Sequence, residues 1–223
     1  KGGARYNYTG INAVGLANVA DALMVVKTAL ESGTVSMNRL AQALQDDFQE
    51  EQLRQYLLNQ VPKYGNDIAA VDSLARIVAD IFVDSLIGKE NSRGGRFCAG
   101  FQSISAHALF VGSVGASPDG RRAQMLLADG GLSAAQGRDR RGPTALIKSA
   151  ASIDQLRCGG GTLLNVKVSP GAVSGAKGEA IISDLVRTYF DLGGQHIQFN
   201  VVSTKTLRDA QEHPEKYGHL VVR

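Results

Sequence analysis

The chain has only two cysteines in 223 residues, Cys98 and Cys158. Two thiols this far apart form no disulfide framework and no CxxC metal spacing, and free thiols fit a reducing cytoplasm. No apolar run approaches the ~18 residues that mark a membrane span. Lys1-Gly2-Gly3-Ala4-Arg5 runs into a polar, Tyr/Asn-rich stretch without the apolar centre of a signal peptide. An initiator methionine is missing, and Val221-Val222-Arg223 closes the chain like an interrupted strand, so both ends are expected to be truncation points. An excess of charge of one sign is small too. Lys plus Arg number 24 against 21 Asp plus Glu, a net +3 that marks no nucleic-acid face unless it is clustered. The densest basic stretch, Arg138-Asp139-Arg140-Arg141, is interrupted by an aspartate and followed by Gly142-Pro143, which reads as a solvated turn. The histidines, His107, His196, His213 and His219, include no HxxxH pair, and no metal is expected. His213 and His219 lie in a polar segment and are expected to face water.

What is present is ordinary for a water-soluble globular protein: 43% hydrophobic and 20% charged residues. The length suits a single domain or one half of a larger one. There is no internal repeat and no linker. Residues up to about 90 read as helical. Val14, Leu16, Val19, Leu23, Val26 and Leu30 recur at helical spacing until Ser32-Gly33. Ser36 is a good cap for a helix through Leu40, Leu44 and Phe48. A shorter helix around Leu53 to Leu58 stops before Pro62. Asn66 or Asp67 can cap a long helix whose stripe is Val71, Leu74, Ile77, Val78, Ile81, Phe82 and Leu86.

From about residue 95 the character changes. Residues 92–100 are rich in Gly and Arg, and residues 101–107 read as a strand. Residues 112–144 form a long turn-rich loop, a length that is usually functional or packs on other parts. Residues 162–168 read as a strand, and residues 179–192 as an amphipathic helix closed by Gly193-Gly194. Residues 196–202 alternate strictly, with His196, Gln198 and Asn200 opposite Ile197, Phe199 and Val201. Ser203 caps a last helix that ends before Pro214. Strand–helix–strand order implies an α/β architecture with at least partly parallel strands, in one partial domain.

Candidate chemistry is sparse. Gly159-Gly160-Gly161 and the stretch around Pro118-Asp119-Gly120 match neither dinucleotide-binding nor P-loop patterns, and read as tight turns. Neither cysteine has a base beside it, so both read as small buried hydrophobes. Gln102 and Ser103, on opposite faces of their strand, and Gln198 and Asn200, on one face of theirs, are the pocket candidates. That last face suits either a polar ligand pocket or a solvent-facing edge.

Several longer strings resemble the glycyl radical enzymes. They are Val61-Pro62-Lys63-Tyr64-Gly65-Asn66-Asp67, Gly115-Ala116-Ser117-Pro118-Asp119-Gly120-Arg121-Arg122, Gly142-Pro143-Thr144 and, most specific, the run from Gly193-Gly194-Gln195-His196-Ile197-Gln198-Phe199-Asn200 through Thr206-Leu207-Arg208-Asp209 to Leu220-Val221-Val222-Arg223. The resemblance implies the second half of a ten-stranded α/β barrel with flanking helices, needing the missing parts of its own barrel. It places the catalytic cysteine, in a G-C-x-E loop, upstream of this chain, since neither Cys98 nor Cys158 has that context. It places the radical glycine beyond Arg223. No catalytic residue is therefore expected within the chain, and the isolated piece is expected to be inactive. The glycyl radical would be installed by an activating enzyme of the radical S-adenosylmethionine type, with no cofactor or metal bound directly. The wording Gln-Phe-Asn-Val-Val-Ser resembles the glycerol and diol dehydratase-like branch, implying carbon–oxygen or carbon–X cleavage of a small-molecule substrate. In that branch a tyrosine lines the pocket where Gln102 or Ser103 stands here. A pyruvate formate-lyase-type formate acetyltransferase and a non-catalytic structural or binding fragment are the alternatives. The resemblance is compatible with a homodimer and implies neither nucleic acid nor membrane as partner.

Overall fold

The computed structural model describes residues 5–220, with side chains for residues 5–218. Elements follow in the order β1 (Thr9–Asn12), α1 (Leu16–Ser32), α2 (Met37–Gln45), α3 (Glu51–Asn59), α4 (Ala69–Leu86), β2 (Phe97–Gly100), α5 (Ala106–Leu109), α6 (Pro143–Ala151), β3 (Leu164–Val168), α7 (Gly175–Asp191), β4 (Ile197–Val201) and α8 (Thr204–Glu212), with a 3-10 segment at Pro214–Leu220. β1 pairs with β2 and β3 with β4, both in parallel. One parallel bridge, Phe101 to Thr162, joins the two pairs. Phe101 N donates to Gly161 O at 2.8 Å, and Leu163 N donates to Phe101 O at 2.9 Å. Parallel strands require long crossovers, and helices supply them here. No helix among the described residues is long and apolar enough to cross a membrane.

Most of the long helices form where periodicity and caps predict them, but not always with the expected face inward. Ser36 Oγ accepts from Arg39 N and starts α2, and Ser203 Oγ accepts from Thr206 N and starts α8. α1 buries Leu16, Ala17, Ala20, Val25 and Ala29, whereas Val19, Leu23 and Leu30 are exposed. α4 likewise buries Val71, Ala75, Ala79 and Val83 and exposes Ile77 and Ile81. Alanines on both inner faces remove side-chain bulk between the two helices, which lets their backbones approach closely.

Other expectations need correction. α2 stops at Gln45 rather than reaching Phe48, because Asp47 and Phe48 both turn to positive φ (54° and 61°). That turn still buries the Phe48 ring completely. Neither Asn66 nor Asp67 caps α4, whose N-cap is Ile68 without a side-chain bond. Asn66 is used elsewhere: its Oδ1 accepts from Arg140 N and Arg141 N, and its Nδ2 donates to Arg138 O. The strand expected over residues 101–107 lies earlier, at Phe97–Gly100. Beyond the Phe101 bridge the chain turns at Ile104 (φ 48°) into α5. α6 arises where the sequence pattern showed only the end of a loop; Pro143 occupies its first turn, where a missing N–H costs nothing. Helix α7 begins at Gly175, one turn earlier than its apolar pattern. The expected strand at Val221-Val222-Arg223 and the surroundings of His219 lie outside the described residues.

The long loop between α5 and α6 is packed. Its turn hangs on Arg121, which is 4% exposed. The guanidinium donates to Ser117 Oγ, Arg122 O, Met125 O and Val114 O. Asp119 accepts from Ser117 Oγ and from Asn18 Nδ2 of α1, at 2.5 and 2.7 Å. These protein acceptors occupy the donors that a phosphate cradle would need, so the segment is a structural turn. Further along, Gly131 (φ 129°) passes so close to Phe101 that a Cβ would sit 1.9 Å from its carbonyl oxygen. This crossing sets the loop against the end of β2.

Candidate functional site

In the parallel register of β3 and β4, Leu164 faces Ile197, Asn165 faces Gln198, Val166 faces Phe199 and Lys167 faces Asn200. Alternation therefore sorts the pair into two faces. Leu164, Val166, Ile197 and Phe199 join the hydrophobic core, along with Leu146 of α6 and Leu185 and Tyr189 of α7. The opposite face carries Asn165, Lys167, Gln198 and Asn200.

Two of the four sequence candidates, Gln198 and Asn200, thus share one face, the first exposed and the second half-buried. Ser103 approaches the same side through the loop. Its N–H donates to Gly130 O at 2.9 Å, and a Cβ on Gly130 would lie 3.1 Å from Asn165 Nδ2. Ser103 is 5% exposed. Its Oγ and the Oδ1 of Asn165 are both buried without a hydrogen-bond partner among the described residues. A buried polar atom left unpaired costs about 1–3 kcal/mol, so each is a place where a ligand or an ordered water gains a bond. Gln102 stands apart. Its N–H donates to Asn12 Oδ1 at 3.3 Å, and its amide lies against Gly161.

Most of these residues sit toward the C-terminal ends of parallel strands: Asn12 ends β1, Gln102 and Ser103 follow β2, and Lys167 and Asn200 are next to last in β3 and β4, whereas Asn165 and Gln198 are second in theirs. Open and closed α/β folds bind their ligands at that end, because the loops leaving the strands converge there.

Asn165, Lys167 and Asp129 were missed in the sequence. The alternation of residues 164–168 carried the signal for the first two, since it puts them opposite Leu164, Val166 and Val168. Asp129 had no local signal. Its carboxylate meets Lys167 Nζ at 3.1 Å. Beside the pair lies a cavity of ≈ 40 Å³ lined by Ser133, Gln136, Asp139 and Asn165, room for one or two waters. Burial pushes the Asp139 carboxyl above its ordinary range, with Lys167 opposing and Asp129 adding to the shift.

The cysteines behave as packing residues. Cys158 is 1% exposed, its Sγ lies 3.7 Å from Asp154 O, and burial pushes its thiol up to about 11. Cys98 Sγ lies 3.7 Å from Thr9 O on the neighbouring strand. The histidines are scattered: His107 Nδ1 meets Ile104 O at 3.1 Å, and His213 lies 3.6 Å from Glu215. No group of three or more metal-binding side chains occurs among the described residues.

Comparison with known proteins places this geometry. Residues 1–111 match the family model for pyruvate formate lyase-like proteins, and residues 128–223 match the glycine radical model. The chain is 42% identical to the probable dehydratase YbiW of Escherichia coli, over 100% of this chain and 29% of that protein. It superimposes on the glycerol-bound B12-independent glycerol dehydratase of Clostridium butyricum with TM-score 0.90 and 41% identity, over 100% of this chain and 28% of that one. The hydroxyproline dehydratase of Clostridioides difficile, solved with trans-4-hydroxy-L-proline bound, gives TM-score 0.93 and 36% identity, over 100% and 28%. The chain therefore spans less than a third of the length of these relatives.

Proposed function

This chain belongs to the glycyl radical enzymes, and from that premise we propose that it forms part of the barrel wall of a dehydratase-like lyase. The reaction would cleave a carbon–oxygen or carbon–X bond of a small polar substrate. The observation that carries this reading is the polar face of β3 and β4, with Ser103 Oγ and Asn165 Oδ1 buried and unpaired beside it. Carboxamides are suited to a hydroxyl-bearing ligand because each both donates and accepts. Gln198, Asn200 and Asn165 would orient the substrate, with Ser103 at the inner edge and Gln102 toward β1. The Lys167–Asp129 pair supplies a charged rim. Walls of this kind also exclude water and so protect reactive intermediates.

The radical chemistry itself falls to groups outside these residues. The glycyl radical starts hydrogen abstraction through a cysteine thiyl, and neither thiol here fits that role. Cys158 is sealed in the core with its pKa raised, and Cys98 is turned to a backbone carbonyl within the β1–β2 pair. The 223 residues alone are accordingly expected to show no turnover. In the full-length protein, a ten-stranded barrel would be completed by segments beyond this stretch, and an activating enzyme of the radical S-adenosylmethionine type would install the radical. The protein would work in the cytoplasm.

The test is electron paramagnetic resonance of the full-length protein after anaerobic activation. A glycyl radical doublet, with dehydration of a vicinal diol or a hydroxylated amino acid on substrate addition, is the expected result. No radical signal despite active activating enzyme would remove the enzyme reading. Formation of formate and acetyl-coenzyme A from pyruvate and coenzyme A would move it to the acyltransferase class.

A further inference from the structure

The Arg138–Arg141 turn, expected from the sequence to be merely solvated, folds instead over the segment between α3 and α4. Together they enclose an open recess of ≈ 190 Å³, lined by Asn59, Lys63, Asn66, Arg138, Arg140 and Arg141 among others. That is several times the ~30 Å³ that one water occupies in the liquid. No carboxylate lines it. Each cation is held by a neutral oxygen: Lys63 Nζ by Leu57 O at 2.7 Å, Arg138 Nη1 by Leu58 O at 3.1 Å, Arg140 Nη2 by Asn59 Oδ1 at 2.6 Å and Arg141 Nη1 by Asn66 O at 3.4 Å. None of the four makes an ion pair among the described residues, whereas Arg39, Arg54, Arg122, Lys148 and Arg157 all do.

The backbone is fixed as firmly as the side chains. Asn66 is buried, and its amide ties Lys63 O and Arg138 O to the N–H groups of Arg140 and Arg141. This gathers like charges at a set spacing. Burial and then the Arg140 charge hold the Arg138 pKa below its ordinary value. Burial also lowers the pKa of Lys63; Asp21 and Asp119 oppose that shift, and Arg138 and Arg140 add to it. Both aspartates line a neighbouring recess that shares Arg138 and Leu58 with this one. A guanidinium has five N–H donors and an ammonium three, so most donors at the site remain for a ligand. Fork-shaped donors gathered around a recess that no carboxylate lines match the oxygens of a tetrahedral anion.

We propose that this recess is an anion site for a phosphate-type oxyanion, either free or as the terminal group of a phosphate ester. It shares no lining residue with the cavity beside Lys167, although Asp139 of the same turn lines that cavity, and it does not depend on the substrate reading.

The experiment uses the full-length protein without activation. Inorganic phosphate is titrated by calorimetry and by ³¹P line broadening, against potassium chloride at matched ionic strength, with adenosine monophosphate as a parallel probe. Variants are Arg140→Gln/Arg141→Gln, whose altered side chains are solvent-exposed, and Arg93→Ala as a distant control. Saturable phosphate binding is expected, unchanged in Arg93→Ala and weakened about ten- to hundredfold in the double variant, the range for losing charged hydrogen bonds. Tighter binding of the monophosphate identifies an ester as the ligand, and equal binding identifies the free anion; either supports the site. Binding that survives the double variant, or that chloride reproduces at equal ionic strength, overturns it.

Discussion

The hydroxyl of Tyr189 donates to Gln155 Oε1 at 3.1 Å in the interior of the protein, joining α7 to the turn that leads into β3. The same oxygen accepts from Thr162 Oγ1 at 2.7 Å and from Gln195 N at 3.0 Å, while Gln155 O accepts from Gln195 Nε2 at 2.7 Å. One buried amide therefore fixes where β4 begins relative to β3. The register that lines up Asn165 with Gln198 depends on it.

Replacing Gln155 with Leu removes this acceptor and strands three donors. At about 1–3 kcal/mol for each buried unpaired group, with incomplete additivity, a loss of about 3 kcal/mol or more is expected. Hydrogen exchange in the full-length protein should show β4 amides losing protection before those of α1. Protection lost evenly across both would contradict a local role for Gln155.

The polar face predicts a specific kinetic pattern. Gln198→Ala and Asn200→Ala in the activated full-length enzyme should lower kcat/KM by about ten- to hundredfold, the equivalent of one or two lost hydrogen bonds. The yield of glycyl radical should stay at the parent level, since these side chains belong to the wall. Unaltered kinetics in both variants would leave the face as a solvated surface.

Asp21 gives a pH dependence of definite sign. Burial raises its pKa from 3.8 to about 8, outweighing Lys63 and the Tyr64 N–H, which favour the charged form. Between those values the native state keeps a proton that the unfolded chain has released. Stability should therefore fall as pH rises from about 4 to 8, by at most ~1.4 kcal/mol per unit, and level off above that. Lys63 acts in the opposite sense toward alkaline pH, because its native pKa lies below the ordinary 10.5. Asp21→Asn keeps an acceptor for Tyr64 N and cannot ionise. Its thermal midpoint relative to the parent should climb steadily across that window, and a constant offset would refute the assignment.

Gly131→Ala tests the crossing of the loop over β2. The added Cβ would sit 1.9 Å from Phe101 O at a φ of 129°, so backbone must move. A loss of about 2 kcal/mol or more is expected, the range for strain at a special backbone position. Substrate affinity should fall as well, since Ser103 N is bonded to the adjacent Gly130. A parent-like thermal midpoint would show that the loop yields at little cost.

Much of the chain was legible because the signals were local. Ser36 and Ser203 cap α2 and α8 through bonds that reach only three residues ahead, and the spans of α1, α4 and α8 follow from apolar spacing and breakers. The alternation at residues 196–202 marked β4 and its polar face. Misreadings arose where a local pattern was outvoted by distant contacts. Phe101 to His107 reads as a strand, yet Gly130 and Gly131 dock there and the chain turns away at Ile104. The Val19, Leu23 and Leu30 stripe looks like the inner face of α1, yet the alanine face packs inward.

Sequence alone determined the α/β class, the family resemblance and the polar face at Gln198 and Asn200, because periodicity, capping and motif strings reside in neighbouring residues. Tertiary structure decided which side chains join that face and which cations meet over Asn66. Asn165 and Gln198 are 33 positions apart and become partners only through the β3–β4 register. Lys63 and Arg140 are farther apart still, and only the docking of the loop on α3 brings their charges together. Pairings of that kind are set by packing free energy summed over the whole core, to which no short stretch of sequence has access.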